Sequence, residues 1–86
     1  MTTETSEYLV EFTESLVRPL LDEPEELTVC ATDAQGYDSV CIEISVSPDD
    51  IGKVIGRRGR IIKSIRTMVR AAASRDGLTA EVEVLG

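Results

Sequence analysis

The chain has 86 residues, 42% of them hydrophobic and 3% aromatic, with a net charge of −7 and no histidine. That length makes one domain, able to bury roughly 60–65% of its unfolded surface, and the hydrophobic share excludes a disordered acidic tail. The missing histidine removes the commonest general base and metal ligand, and no apolar run is long enough to span a bilayer.

From Glu4 to Val17 the apolar residues Tyr8, Leu9, Phe12, Leu16 and Val17 recur at three- and four-residue intervals between Glu11, Thr13, Glu14 and Ser15. This predicts an amphipathic helix over 4–17 with glutamates near its start. Pro19 disfavours helical geometry at Arg18 and ends it; Leu20 and Leu21 still pack inward, and Asp22–Glu26 is a turn. Residues 27–32 alternate with Leu27, Val29 and Ala31 on one side, and residues 40–46 alternate with Val40, Ile42, Ile44 and Val46. Asp33–Ser39 between them carries the Gly and Asp chemistry of a hairpin loop. Cys30 and Cys41 fall on the opposite face. They lack metal-site spacing and company, which predicts free thiols in a cytosolic protein. They could pair only if the strand register set them opposite each other.

Ser47-Pro48-Asp49-Asp50 reads as a helix start, with Ser47 as N-cap, Pro48 at the first position and Asp50 as the acidic partner of a capping box. The helix it opens is about two turns long and ends at Gly56. A longer helix runs from Arg60 to about Arg75 with an apolar stripe of Ile61, Ile62, Ile65, Met68, Val69 and Ala72, and Asp76-Gly77 stops it. Thr79–Val84 is a last alternating strand with Ala80, Val82 and Val84 inward. The expected fold is therefore α+β, in the order α-β-β-α-α-β. Each strand has one apolar face, so three helices pack on one side of a three-stranded sheet and the other side is wet.

Between the last two helices stands Gly56-Arg57-Arg58-Gly59. Two glycines three apart permit a tight turn, and two arginines sit at its tip, where main-chain N–H groups and guanidinium forks can approach a phosphodiester backbone. Charge is distributed to match. Lys53, Arg57, Arg58, Arg60, Lys63, Arg66, Arg70 and Arg75 all lie in residues 51–75, a window without Asp or Glu that carries +8. Residues 1–50 carry −12 and residues 76–86 carry −3. A basic stripe on an acidic body attracts a polyanion at one face and repels it elsewhere. Alone, such a stripe is also what the solvated face of an amphipathic helix looks like.

The element order, with the glycine loop joining the two later helices, resembles the type II KH fold over the whole of residues 1–86. Pro48-Asp49-Asp50-Ile51-Gly52-Lys53-Val54-Ile55-Gly56-Arg57-Arg58-Gly59-Arg60-Ile61, Arg66–Ala73 and Val17–Leu27 look like the small single-KH proteins of bacteria, the KhpA family. The resemblance implies a three-stranded mixed sheet and a cytoplasmic protein that binds single-stranded RNA, as an RNA chaperone or regulator of transcript fate. It also implies self-association as a homodimer, complex formation with a larger KH-domain partner of the KhpB type, and a link to cell-wall homeostasis and cell length. No cofactor, metal or membrane is implied.

KH domains hold about four nucleotides, with the glycine loop clamping the backbone. Carried onto this chain, Gly56 and Gly59 permit the turn, Arg57 and Arg58 contact phosphates, and Arg60 and Lys63 continue along the following helix. Gly52 lets RNA lie close to the short helix, and Lys53 adds charge on the approach side. Ile51 with Val54 or Ile55 would floor the site, although core packing is the plainer role for Ile55 and Ile61. Tyr8, Phe12 and Tyr37 are all far from the loop in sequence, which argues against stacking platforms.

Other classes fit poorly. Gly52-Lys53-Val54-Ile55-Gly56-Arg57 does not supply the lysine and hydroxyl after the second glycine that a nucleotide-binding P-loop needs, and the glycine pattern of a dinucleotide fold is missing. Asp49 and Asp50 belong to a helix start, and no nucleophile has a base beside it, so catalysis has nothing to use. The substantial alternative is a KH-shaped protein–protein module working through exposed members of the long helix's stripe, Ile62, Ile65 or Met68, with RNA left to a partner.

Overall fold

Strict two-residue alternation takes one face of each strand out of water, and a computed structural model, which describes residues 3–33 and 38–85, joins the three strands in one sheet. Strands β1 (Thr28–Asp33) and β2 (Ser39–Ser45) are antiparallel, while β2 and β3 (Thr79–Leu85) are parallel, with β2 in the centre. Most of the expected hairpin loop, Tyr37 included, lies outside the described residues. In register, Ala31, Ile42 and Val82 form one inward row, and Val29, Ile44 and Val84 the next.

On the outer face Cys41 stands beside Thr32 and Glu81, and Glu43 beside Cys30 and Glu83. The cysteines are thus offset by two positions, not opposite, and both are free. Partial burial, then the charges of Glu83, Glu43 and Glu81, push the Cys41 thiol above its ordinary pKa. It therefore stays protonated at neutral pH and is a poor nucleophile.

Three helices cover the inner face: α1 (Thr3–Val17), the short α2 (Ile51–Ile55) and α3 (Arg60–Ser74). The expected α+β order with helices on one face of a mixed three-stranded sheet is the order observed. Helix α1 buries Leu9, Thr13 and Val17. Thr13 was expected among the polar residues, but it faces the core because its hydroxyl donates back to the Leu9 carbonyl at 2.7 Å, leaving no orphaned donor. Helix α3 buries Ile62, Ile65, Val69, Ala72 and Ala73. Met68, assigned to the same stripe, is instead 41% exposed, beside the half-exposed Tyr8 that stacks on Phe12. After α1 the chain makes two 3-10 turns, Arg18–Leu20 and Pro24–Glu26, each with proline in its first turn where a missing N–H costs nothing.

Candidate nucleic-acid interface

The loop is positioned by how α2 starts and stops. Ser47 caps the 3-10 turn Pro48–Asp50 by accepting the Asp49 N–H at 3.4 Å, and the Asp50 N–H goes to the Ser47 carbonyl at 2.8 Å. The capping box expected of Asp50 does not form. Its carboxylate, fully buried, turns to the connector before β1 and accepts the amides of Glu23 at 2.9 Å and Asp22 at 3.2 Å. The Glu23 amide is the main cause of the Asp50 carboxyl lying below the ordinary range; burial opposes it, and the Asp22 amide and Lys53 add to it.

Helix α2 closes with the Gly56 N–H on the Gly52 carbonyl at 2.8 Å, and Gly56 takes φ 78°, ψ 172°, a region open to glycine alone. A Cβ at Gly56 would also sit 2.5 Å from Ile61 Cγ1, so close packing demands glycine a second time. The Gly59 N–H returns to the Gly56 carbonyl at 3.1 Å, closing a four-residue turn. Both Arg58 (φ 58°) and Gly59 (φ 72°) are left-handed within it. A non-glycine residue in that conformation is uncommon. At Gly59 the demand is conformational only, since a Cβ there would meet nothing nearer than Ile62 Cγ2 at 3.9 Å.

The turn presents Arg57 and Arg58, both exposed, and Arg60 and Lys63 follow on the exposed first turns of α3. Among the described residues none of these four is in a salt bridge, and no acid occupies the first turn of α3. Cations at a helix N-terminus oppose the macrodipole, at a few tenths of a kcal/mol each or more. The arrangement is electrostatically frustrated, and main-chain N–H groups at a helix start suit a phosphate.

Gly52 is exposed, and a Cβ built on it would meet nothing within 4 Å. Packing therefore does not explain a glycine that costs a helix about 1 kcal/mol relative to alanine. Lys53 lies next to it but is not free: its ammonium binds Asp22 and, at 3.3 Å, Asp50. The hydrogen bond to Asp22 is the main reason its pKa lies above the ordinary lysine value, with Asp50 adding and desolvation opposing. Val54 is fully buried and belongs to the core, so only the half-buried Ile51 and Ile55 remain to floor the site; Ile61 is spent against Gly56.

Of the rest of the basic window, Arg70 is exposed and in no salt bridge among the described residues, while the other two are engaged by the fold. Arg66 Nε donates to the Val82 carbonyl of the edge strand β3 at 3.3 Å, and the Arg75 guanidinium lies over the Tyr8 ring at 5.8 Å. Both serve the protein itself. The sequence named Gly52, Lys53, Gly56, Arg57, Arg58, Gly59, Arg60 and Lys63 for the site; in the structure they lie on α2, on the turn that follows it and on the first turns of α3, and of the five cations only Lys53 is in a salt bridge among the described residues. What sequence reasoning missed is Asp22 and Asp50 as partners of Lys53. The only local signal was an acid in a capping position, and that pointed to a different bond. Among the described residues no helix is long and apolar enough to cross a membrane, and no cluster of metal-ligating side chains occurs.

A family model described as KhpA/KhpB, KH domain, matches residues 10–84. The chain is 43% identical over 75 residues to the RNA-binding protein KhpA of Clostridium perfringens, covering 87% of this chain and 97% of that protein. To the RNA-binding protein KhpA of Chlamydia trachomatis it is 40% identical, covering 87% and 94%. To that of Listeria monocytogenes it is 39% identical, covering 83% and 91%. Among solved structures, Aquifex aeolicus Era superposes with a TM-score of 0.67 at 20% identity over 94% of this chain. The match spans 30% of the Era chain and is a likeness of fold.

Proposed function

The chain belongs to the KhpA/KhpB family of KH domains, and we propose that it binds RNA, gripping the backbone of single strands with the turn Gly56–Gly59. One observation carries the reading: Arg57 and Arg58 stand exposed and, among the described residues, without salt-bridge partners, on a turn whose closure requires Gly56 and Gly59, at the N-terminal end of α3. The relatives' common name, RNA-binding protein, supports it, and no enzyme is among those quoted.

The backbone enters over Gly52, whose missing side chain leaves room, and its phosphates meet the loop amides, Arg57 and Arg58, then Arg60 and Lys63. Guanidinium forks take phosphate oxygens in pairs. Because these contacts address phosphate, specificity for bases is modest and binding is salt-sensitive. Four phosphates neutralised on a single strand give a log–log salt slope of about −3. The carboxylates of Glu43, Glu81 and Glu83 on the outer sheet face keep a polyanion off that side. Weak base discrimination suits an RNA chaperone or a regulator of many transcripts, acting in the cytoplasm. A larger KH-domain partner of the KhpB type belongs to the same reading, and the exposed Met68 and Tyr8 offer apolar surface for self-association.

A protein–protein module draws on that same surface, but Ile62 and Ile65 are buried, so most of the stripe it needs is spent on the core. The double substitution Arg57→Asp, Arg58→Asp decides the matter. Single-stranded RNA affinity should fall on the order of a hundredfold or more, since two charge-assisted contacts are lost and reversed, while the circular dichroism spectrum stays that of the parent and Tm is held or raised, because acids replace cations at a helix N-terminus. RNA binding like the parent's would sink the loop reading.

A further inference from the structure

Lys53 stands beside Gly52 on the exposed side of α2, yet its ammonium is already held by two carboxylates. The two need it unequally. Asp50 is fully buried and has the amides of Asp22 and Glu23, so its charge is met without a lysine. The Asp22 side chain is 76% exposed, and among the described residues Lys53 is its carboxylate's one partner. One ammonium between two carboxylates leaves this corner net negative, beside a rim that is otherwise positive. Two of the ammonium's three N–H donors are taken, so a phosphodiester over Gly52 competes with Asp22 for the charge and geometry of Lys53, and an exposed ion pair is weak enough to be exchanged.

We propose that Asp22 is a built-in competitor for Lys53, a carboxylate on the connector between α1 and β1 that holds the ammonium off the RNA backbone and lowers the affinity of the site. The proposal rests on the loop reading above. It makes Asp22 a negative determinant of affinity, and it makes Lys53 a phosphate ligand held in reserve.

A double-mutant cycle read by fluorescence anisotropy with a short single-stranded RNA of mixed sequence, at several salt concentrations, tests it. Asp22→Asn leaves intact the main-chain N–H that Asp50 accepts, so the connector stays tied. It should tighten binding about fivefold, the worth of an exposed ion pair. It should also steepen the salt dependence by about 0.7, one further phosphate on a single strand. In a Lys53→Met background the same substitution should gain less than about twofold, the general effect of one distant charge. Asp49→Asn, which removes a neighbouring exposed carboxylate that is not bonded to Lys53, should gain no more than that. Equal gains from Asp22→Asn in both backgrounds, an equal gain from Asp49→Asn, or no gain at all would each overturn the proposal. The Arg57→Asp, Arg58→Asp protein, run alongside, separates the failures. If it loses RNA while the cycle is flat, only the competitor idea falls; if it binds like the parent, the loop reading falls and takes the competitor with it.

Discussion

Arg66 and Arg75, in the far half of the basic window, are used differently from the cations of the loop end. At the far end Arg66 is bonded to a carbonyl of the sheet edge and Arg75 lies on Tyr8. At the loop end Arg57, Arg58, Arg60 and Lys63 are exposed and in no salt bridge among the described residues, on a helix start that disfavours them. A charge tally treats these cations alike. What separates them is whether the fold has already supplied a partner, and a surface for polyanions is made of the cations it has not supplied.

If the loop end depends on backbone shape, breaking that shape should be the largest single effect. Gly56→Ala puts a methyl 2.5 Å from Ile61 Cγ1 in a conformation only glycine takes. Strain and overpacking together should cost about 3 kcal/mol, which for a domain this size lowers Tm by roughly 12–24 °C. Gly59→Ala meets no such contact and carries only the left-handed penalty, about 1 kcal/mol. Thermal melts giving equal losses for the two would show that the Ile61 contact does not hold the loop.

The next test sets the two ends against each other directly. Arg66→Met should cost about 1 kcal/mol of stability, a lost hydrogen bond to the strand edge, and leave the RNA salt slope unchanged. Arg60→Met should do the reverse: a slope shallower by about 0.7, with Tm held or slightly raised because a cation leaves the helix N-terminus. Equal changes of slope for both would mean that Arg66 and Arg60 meet the RNA alike, whatever partner the fold supplies.

How much of this could be read beforehand follows the range of the forces. The strands and their inward sets were legible because alternation is a local signal: β1, expected at 27–32, occupies Thr28–Asp33, and β3, expected at 79–84, occupies Thr79–Leu85. The turn Gly56–Gly59 was legible because glycine marks backbone conformations directly. Four contacts were not. The amides of Asp22 and Glu23 on Asp50, Lys53 on Asp22, and Arg66 on Val82 join residues 28, 27, 31 and 16 positions apart. No periodicity encodes such meetings; they appear only when the α1–β1 connector folds down on α2 and the last strand docks beside the centre of the sheet. That is why the sequence points Asp50 to a local cap; Thr13 is a different case, a polar residue at helical spacing from Leu9 and Val17 whose hydroxyl is satisfied within its own helix.

The smallest expected effect isolates the space over α2 from the charge around it. Gly52→Ala adds a methyl where nothing lies within 4 Å, so the folded state accepts it without a clash. Alanine is the better helix former and loses less freedom on folding, so stability should rise by about 0.5–1 kcal/mol. No charge changes, and the salt slope should stay as it is. If the RNA backbone lies against this stretch of α2, the same methyl must push it outward and weaken binding a few-fold. Stability and affinity then move in opposite directions, a signature that neither general destabilisation nor a change of net charge can produce. Affinity unchanged, with Tm raised, would place the strand away from Gly52 and leave the loop and the first turns of α3 to hold it alone.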